Sequence, residues 1–239
     1  LILMIFTFVA YNPMSLVQPF RAEHIARTLQ ADLVLLPCTQ LKLIGDGSHQ
    51  VRLLGGGYLM LSAGWKRSPF TNRSAGVAMI FGPRIKKSMV TLVNTPPDSL
   101  GIAGRGLIVR IQNWELDITA GLPNVPPVTT VSGRKTTQLM AIKLVTNWIQ
   151  KEFSALPART MPFIAGDFNT LMGLSPSGEA WQDVVGEHNI GKAYHCHGNS
   201  WEEWLQANFM ANASIFSKVL DPPSSLRKGM VILKPWIMP

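Results

Sequence analysis

Short apolar runs alternate along this chain with turns rich in Gly, Pro, Asn and Ser. Such bounded runs read as buried or half-buried strands. They predict strands over Leu3–Ala10, Leu33–Leu36, Gly57–Ser62, Gly76–Phe81, Met89–Leu92, Leu107–Ile111, Glu115–Thr119 and Pro162–Ala165. Helical spacing appears in other segments. Pro19–Gln30 places Phe20, Ile25 and Leu29 on one side, and Thr136–Phe153 keeps Leu139, Ile142, Leu144 or Val145, Ile149 and Phe153 roughly in phase. Thr136 or Thr137 is a candidate cap, and Pro157 lies beyond the end. Ser200–Asn212 carries Trp204, Leu205 and Phe209, with Glu202 and Glu203 in a first turn whose dipole favours acids. Met230–Leu233 is a candidate late strand.

The order is strand, helix, strand, a meander of strands, then helix, strand, helix. A meander argues against a purely parallel sheet, so the expected class is α/β with two packed sheets and outer helices. No repeat, low-complexity tract or long linker interrupts it, which predicts a single domain. With 239 residues, 46% hydrophobic and 15% charged, the chain can bury a sizeable core and is not of the disordered class. The opening LILMIFTFVA is too short to span a bilayer and lacks the basic flank and cleavage site of a signal peptide. A buried strand is expected there, and no membrane partner. Because the first residue is Leu1, a fragment at that end is the expectation.

Charge adds a partner class. The formal charge is +8, which favours polyanions; the plain alternative is a basic protein without such a partner. From Gly47 to Pro97 no acid occurs, while Arg52, Lys66, Arg67, Arg73, Arg84, Lys86 and Lys87 do. Ile118 to Lys151 is also free of acids and holds Arg134, Lys135, Lys143 and Lys151. If these stretches share a face, that face would hold phosphates in a salt-dependent way. Arg67, Arg73, Arg134 and Lys135 are the expected nucleic-acid contacts. Cys38 and Cys196 are too few for a disulfide framework and show no CxxC spacing, as expected of reduced thiols in a protein of the cell interior, the nucleus included. His195 and His197 would share one side of an extended AYHCHGNS segment, with Cys196 on the other. With no second cluster at zinc spacing, this segment reads as a loop. His24 has no obvious partner.

Candidate chemistry centres on MPFIAGDFNT, Met161–Thr170, where an apolar strand delivers Asp167 and Asn169 at its tip. One reading is an Asx turn closing a strand; the other is a site for a phosphate ester. The order of landmarks decides between them. YNPMS closes the first strand, ADLVLLPCT forms the second, GVAMIF and AGRGLIVRI follow, and FIAGDFN comes after the long helix. From about Ile2 to Phe216 this order resembles the endonuclease/exonuclease/phosphatase superfamily, especially the endonuclease domains of non-LTR retrotransposons. The tail WEEWLQANFMANASIFS looks similar to the helix and strand that follow GDFN in that type. The implied division is a domain over residues 1–216 and a divergent tail over 217–239.

The resemblance implies a four-layer α/β sandwich, with two mixed sheets flanked by helices and the last strands lacking. It implies hydrolysis of a DNA phosphodiester by an activated water with Mg²⁺. Asn12 matches the family's asparagine that helps to bind the metal. Asp167 matches the acid that orients or deprotonates the water, and Asn169 the amide that binds the scissile phosphate. The chain also departs from the pattern. Cys38 stands where the family carries a metal-ligating Glu, and a thiol is a poor ligand for Mg²⁺. Gly121 stands where the family has Tyr or His. No S-D-H motif follows Ser217; the chain runs on to KGMVILKPWIMP. The expectation is therefore a catalytically weak or inactive phosphodiesterase. The alternatives are a non-catalytic nucleic-acid-binding module and a decayed retroelement fragment.

Overall fold

The computed structural model describes residues 6–45, 47–113, 117–127, 132–169, 203–205, 207, 211–212 and 230–233. It holds two mixed sheets. The first has strand order β1-β2-β5-β4-β3, from β1 (Phe8–Ala10), β2 (Leu33–Leu36), β3 (Gln50–Leu53), β4 (Leu59–Ala63) and β5 (Val77–Phe81). The second has the order β10-β11-β9-β8-β7-β6, from β6 (Val90–Asn94), β7 (Gly106–Gln112), β8 (Asp117–Pro123), β9 (Met161–Gly166), β10 (Ala211–Asn212) and β11 (Met230–Leu233). β1 pairs with β2 and β8 with β9 in parallel, and the other pairs are antiparallel.

Alternation along the strands produces four layers. Leu33, Leu35, Leu59, Leu61, Val77, Met79 and Phe81 of the first sheet face Leu107, Val109, Ile111, Ala120, Leu122, Phe163 and Ala165 of the second. The intervening residues Val34, Leu36, Met60, Ala78 and Ile80 face outward, against Leu16 and the Ala22, Ile25 and Ala26 stripe of α1 (Arg21–Leu29). On the far side, Ile108 and Ile164 meet Ile142, Val145, Trp148, Ile149 and Phe153 of α2 (Ser132–Ser154). Central strands are covered on both faces, which is why β2 and β5 read as unbroken apolar runs. Each Leu, Ile or Phe so buried contributes roughly 1.5–3 kcal/mol.

Several boundaries differ from the sequence expectation. β3 was not predicted: QVRL alternates rather than forming a run, and it lies at the sheet edge with Val51, Arg52 and Leu53 exposed. β8 runs on to Pro123, past the expected strand end at Thr119. The reason is packing: a Cβ on Gly121 would lie 2.5 Å from the Phe153 ring, so the glycine makes room for the helix above it. Gly106 does the same under Trp148. α2 begins at Ser132, ahead of the expected Thr136. The expected helix Ser200–Asn212 is helical at residues 203–205, but Ala211 and Asn212 form β10. β11 pairs with β9, so the sheet draws residues from both sides of the expected 216/217 division. The start of the first expected strand, Glu115, and His195, Cys196 and His197 lie outside the described residues. Among the described residues no helix is long and apolar enough to cross a membrane.

Candidate functional site

Strand direction decides which loops meet. β1 and β2 end, and β5 begins, at one edge of the first sheet. β8 and β9 end, and β7 begins, at one edge of the second. Backbone hydrogen bonds fasten these edges together: Gly76 N–H donates to Gly104 O at 2.8 Å, Thr39 N–H to Gly76 O at 2.8 Å, and Asn124 N–H to Arg105 O at 2.9 Å. Asp167 and Asn124 form a parallel bridge just past β9 and β8, with Asp167 N–H donating to Pro123 O and Val125 N–H to Asp167 O.

The polar side chains of this edge converge. The Cys38 Sγ lies 3.5 Å from Asp167 Oδ2 and 3.5 Å from Asn124 Oδ1. Asn124 Nδ2 donates to Ser74 O at 3.3 Å. Arg105 reaches Ser74 Oγ at 3.5 Å, and its Nε is buried with no hydrogen-bond partner among the described residues. Arg105, Asn124 and Asp167 are 2%, 1% and 5% exposed. Asn12, Cys38 and Asn169 are half-buried and border solvent.

Burial and charge set the protonation. Burial pushes the Cys38 thiol up to about 12, and the Asp167 carboxylate adds to the rise, outweighing Arg105 and the Asn12 amide, which oppose it. Burial also lowers the Arg105 guanidinium to about 10, although Cys38 and Asp167 both favour its charged form. At neutral pH the cluster is therefore a protonated thiol and a guanidinium cation beside Asp167. The buried cation answers the carboxylate from within the protein.

The amides are partly committed. Asn169, at φ 44°, donates its backbone N–H to Asp167 Oδ1 at 3.1 Å, and its Nδ2 donates to Val125 O at 2.6 Å. The GDFN tip is thus an Asx turn as well as part of the polar cluster. Asn12 Oδ1 accepts from Met14 N–H at 2.9 Å, which occupies the oxygen expected to serve a metal. Gly121 does not reach the cluster. Its missing Cβ points at Phe153, so a Tyr or His there would collide with α2 rather than join the site. Sequence reasoning missed Asn124 and Arg105 as site residues. Their signals were an asparagine directly after a strand-ending proline and an arginine between two glycines at the head of an apolar strand.

The donor set does not fit Mg²⁺. That ion needs hard oxygen ligands in octahedral array. Asp167 is the one carboxylate of the cluster among the described residues, and it faces a thiol and a guanidinium. No group of at least three His, Cys, Asp or Glu able to hold a metal occurs among the described residues. The chemistry left to the residues present is binding and orientation of an anion, with Asp167 able to accept a proton.

The basic stretches divide. Arg67 and Arg73 are exposed on the loop between β4 and β5, whose inner end carries Ser74 and Gly76 at the cluster; Lys42 and Lys66 are exposed at the same edge. Arg67 and Arg73 have no acidic partner among the described residues, while Lys66 pairs with Asp98. Arg84, Lys86 and Lys87 follow the other end of β5, where Phe81 pairs with Leu33 at the start of β2, so they lie at the opposite edge. Arg52 is paired with Glu23. Arg134 and Lys135 sit in the first turn of α2, which follows the site-edge end of β8.

No protein-family model matches the chain, and no curated protein matches it in sequence. Solved structures do. An AP endonuclease from Archaeoglobus fulgidus aligns with TM-score 0.60 at 13% identity, over 97% of this chain and 87% of that one. The Xenopus laevis APE2 catalytic domain aligns with TM-score 0.60 at 14% identity, over 96% and 82%. The 3′ phosphatase NExo from Neisseria, bound to product DNA hairpin, aligns with TM-score 0.57 at 12% identity, over 97% and 87%. The two-sheet sandwich, its outer helices and these alignments agree on one architecture: the chain has the fold of the endonuclease/exonuclease/phosphatase superfamily.

Proposed function

We propose that this edge of the sandwich holds the phosphodiester backbone of a nucleic acid, DNA in the first instance, and hydrolyses it weakly or not at all. The observation that carries this reading is the Cys38 thiol, 3.5 Å from the Asp167 carboxylate, in a polar cluster rimmed by Lys42, Arg67 and Arg73. The rim supplies the electrostatic attraction. Among the described residues the centre holds no second hard anionic donor. Asp167 acting alone as a general base is worth roughly 10²–10⁴ in rate. Typical enzymatic accelerations are about 10⁶ or more, and the metal's share is the part this donor set does not support. Within this reading Asn169 orients the phosphate, the buried Asn124 holds Cys38 against Ser74, and Asn12 positions Cys38 rather than a metal. Descent from a retrotransposon-type endonuclease is part of the proposal; the order of the YNPMS, ADLVLLPCT and GDFN landmarks supports it.

Fluorescence anisotropy with a labelled oligonucleotide tests the binding. Log K should fall linearly with log salt, by about 0.9 per duplex phosphate neutralised or about 0.7 per single-strand phosphate. Arg67→Ala and Arg73→Ala should each lower that slope by about 1. Failure of the wild type to bind at low salt overturns the reading. Nicking of plasmid DNA in Mg²⁺ that disappears in Asp167→Ala overturns the weak-or-absent catalysis.

A further inference from the structure

The loop that follows Asn12 carries apolar side chains where folding gains least from them. Met14, Val17 and Phe20 are 68%, 64% and 76% exposed. Met14 and Phe20 also hold left-handed backbone, at φ 60° and 61°. That conformation favours glycine and costs a residue bearing a side chain of order 1 kcal/mol or more. Both residues are held by hydrogen bonds, Phe20 through its carbonyl oxygen, which accepts from His24 N–H at 2.9 Å. Met14 N–H donates to Asn12 Oδ1 at 2.9 Å, Gln40 Nε2 donates to Met14 O at 2.8 Å, and Arg21 donates to Pro13 O at 2.8 Å. Leu16, buried under α1, anchors the middle of the loop, with its N–H donating to Thr39 O at 2.7 Å. The loop thus fixes an exposed methionine beside the half-buried Asn12 and Cys38.

The setting is cationic. The Gln40–Lys42 segment that clamps Met14 also receives Trp65 Nε1 at Gln40 O and bridges Lys42 to Trp65, next to Lys66 and Arg67. The acids described nearby are engaged: Asp98 with Lys66, Glu23 with Arg52, and Asp167 within the cluster. Apolar side chains set in a strained, clamped loop beside a basic rim match a polyanion that also offers flat apolar faces.

We propose that the Met14–Phe20 loop contacts the bases of single-stranded or locally unpaired nucleic acid while the basic rim holds its backbone. In an intact duplex the base faces are stacked on one another and must be unstacked, at a cost, before these side chains can reach them, which favours the single strand. This inference rests on the proposed backbone binding, and the two fail separately. The test compares wild type with Met14→Gly/Phe20→Gly by anisotropy, using a labelled single strand and its duplex. Glycine suits both φ values, so the variant should melt no lower than a few degrees below wild type. Its affinity for the single strand should drop at least about fivefold, the low end of what losing one base stacked on an aromatic ring such as Phe20 costs. The salt slope should not change, since no phosphate contact is removed, and the duplex should lose less affinity than the single strand. Equal single-strand affinity of wild type and variant overturns the inference while leaving the backbone reading intact. Equal losses for the single strand and the duplex overturn the preference for unpaired bases. If the wild type binds neither probe, the backbone reading fails and takes this one with it. Self-association of the wild type in sedimentation velocity, abolished in the variant, assigns the loop to a second copy of this chain and also overturns it.

Discussion

The protonated Cys38 thiol is the hinge between a metal site and an anion-binding one, and its reactivity measures it directly. The thiolate is the form that alkylates. An ordinary thiol at 9.0 is about 10% thiolate at pH 8, and one at about 12 is about 0.01% thiolate. Native Cys38 should therefore react with iodoacetamide about 10³-fold more slowly than the same residue in denaturant. Mass spectrometry of the peptide containing Cys38 isolates it from Cys196. Asp167→Asn removes the negative charge that helps to raise the thiol, so native labelling should speed up while burial keeps it slower than in denaturant. The sign for stability follows. The folded state holds the proton more tightly than the unfolded state, so this contribution is complete below pH 9 and is lost as pH rises toward 12. The stability difference between wild type and Cys38→Ala in urea should accordingly shrink between pH 8 and pH 11. Native labelling within tenfold of the denatured rate at pH 8 would refute a buried neutral thiol and reopen Cys38 as a ligand.

Three further expectations follow from the packing and the donor set. Gly121→Tyr should destabilise by about 1–3 kcal/mol or more in urea melts, because the new side chain drives into Phe153, and it should bring no gain in plasmid nicking. Gly166→Ala places a Cβ 2.2 Å from the Pro123 carbonyl oxygen, which is backbone and cannot step aside; a lowered Tm and weakened oligonucleotide binding should appear together, since Asp167 and Asn124 hang on that junction. Cys38→Glu gives Asp167 a second carboxylate beside it, so millimolar Mg²⁺ should raise the Tm of this variant and leave the wild type unchanged in differential scanning fluorimetry.

Much of the fold was legible because its signals are local. Unbroken apolar runs such as LVLL and VAMIF mark strands covered on both faces, and the 3.6-residue spacing from Ile142 to Phe153 marks a helix lying on a sheet. The GDFN tip and Asn12 were legible for the same reason: polar residues at strand ends stand out against their neighbours. β3 was not, because an edge strand need not be apolar. The end of β8 was misread because Gly121 and Pro123 signal a turn in sequence, whereas here the glycine only clears space for Phe153.

The sequence by itself determined the succession of strands and helices, the apolar faces that force two sheets together, and the excess of positive charge. Tertiary structure alone decided which polar residues meet. Arg105, Asn124 and Cys38 come from separate strand ends, and nothing local ties them to Asp167. It also decided that Arg67 and Arg73 share an edge with Asp167 while Arg84, Lys86 and Lys87 do not, because antiparallel pairing sends the two ends of β5 to opposite edges of the sandwich. Chain direction through a sheet is a non-local property, and the placement of charge around this site depends on it.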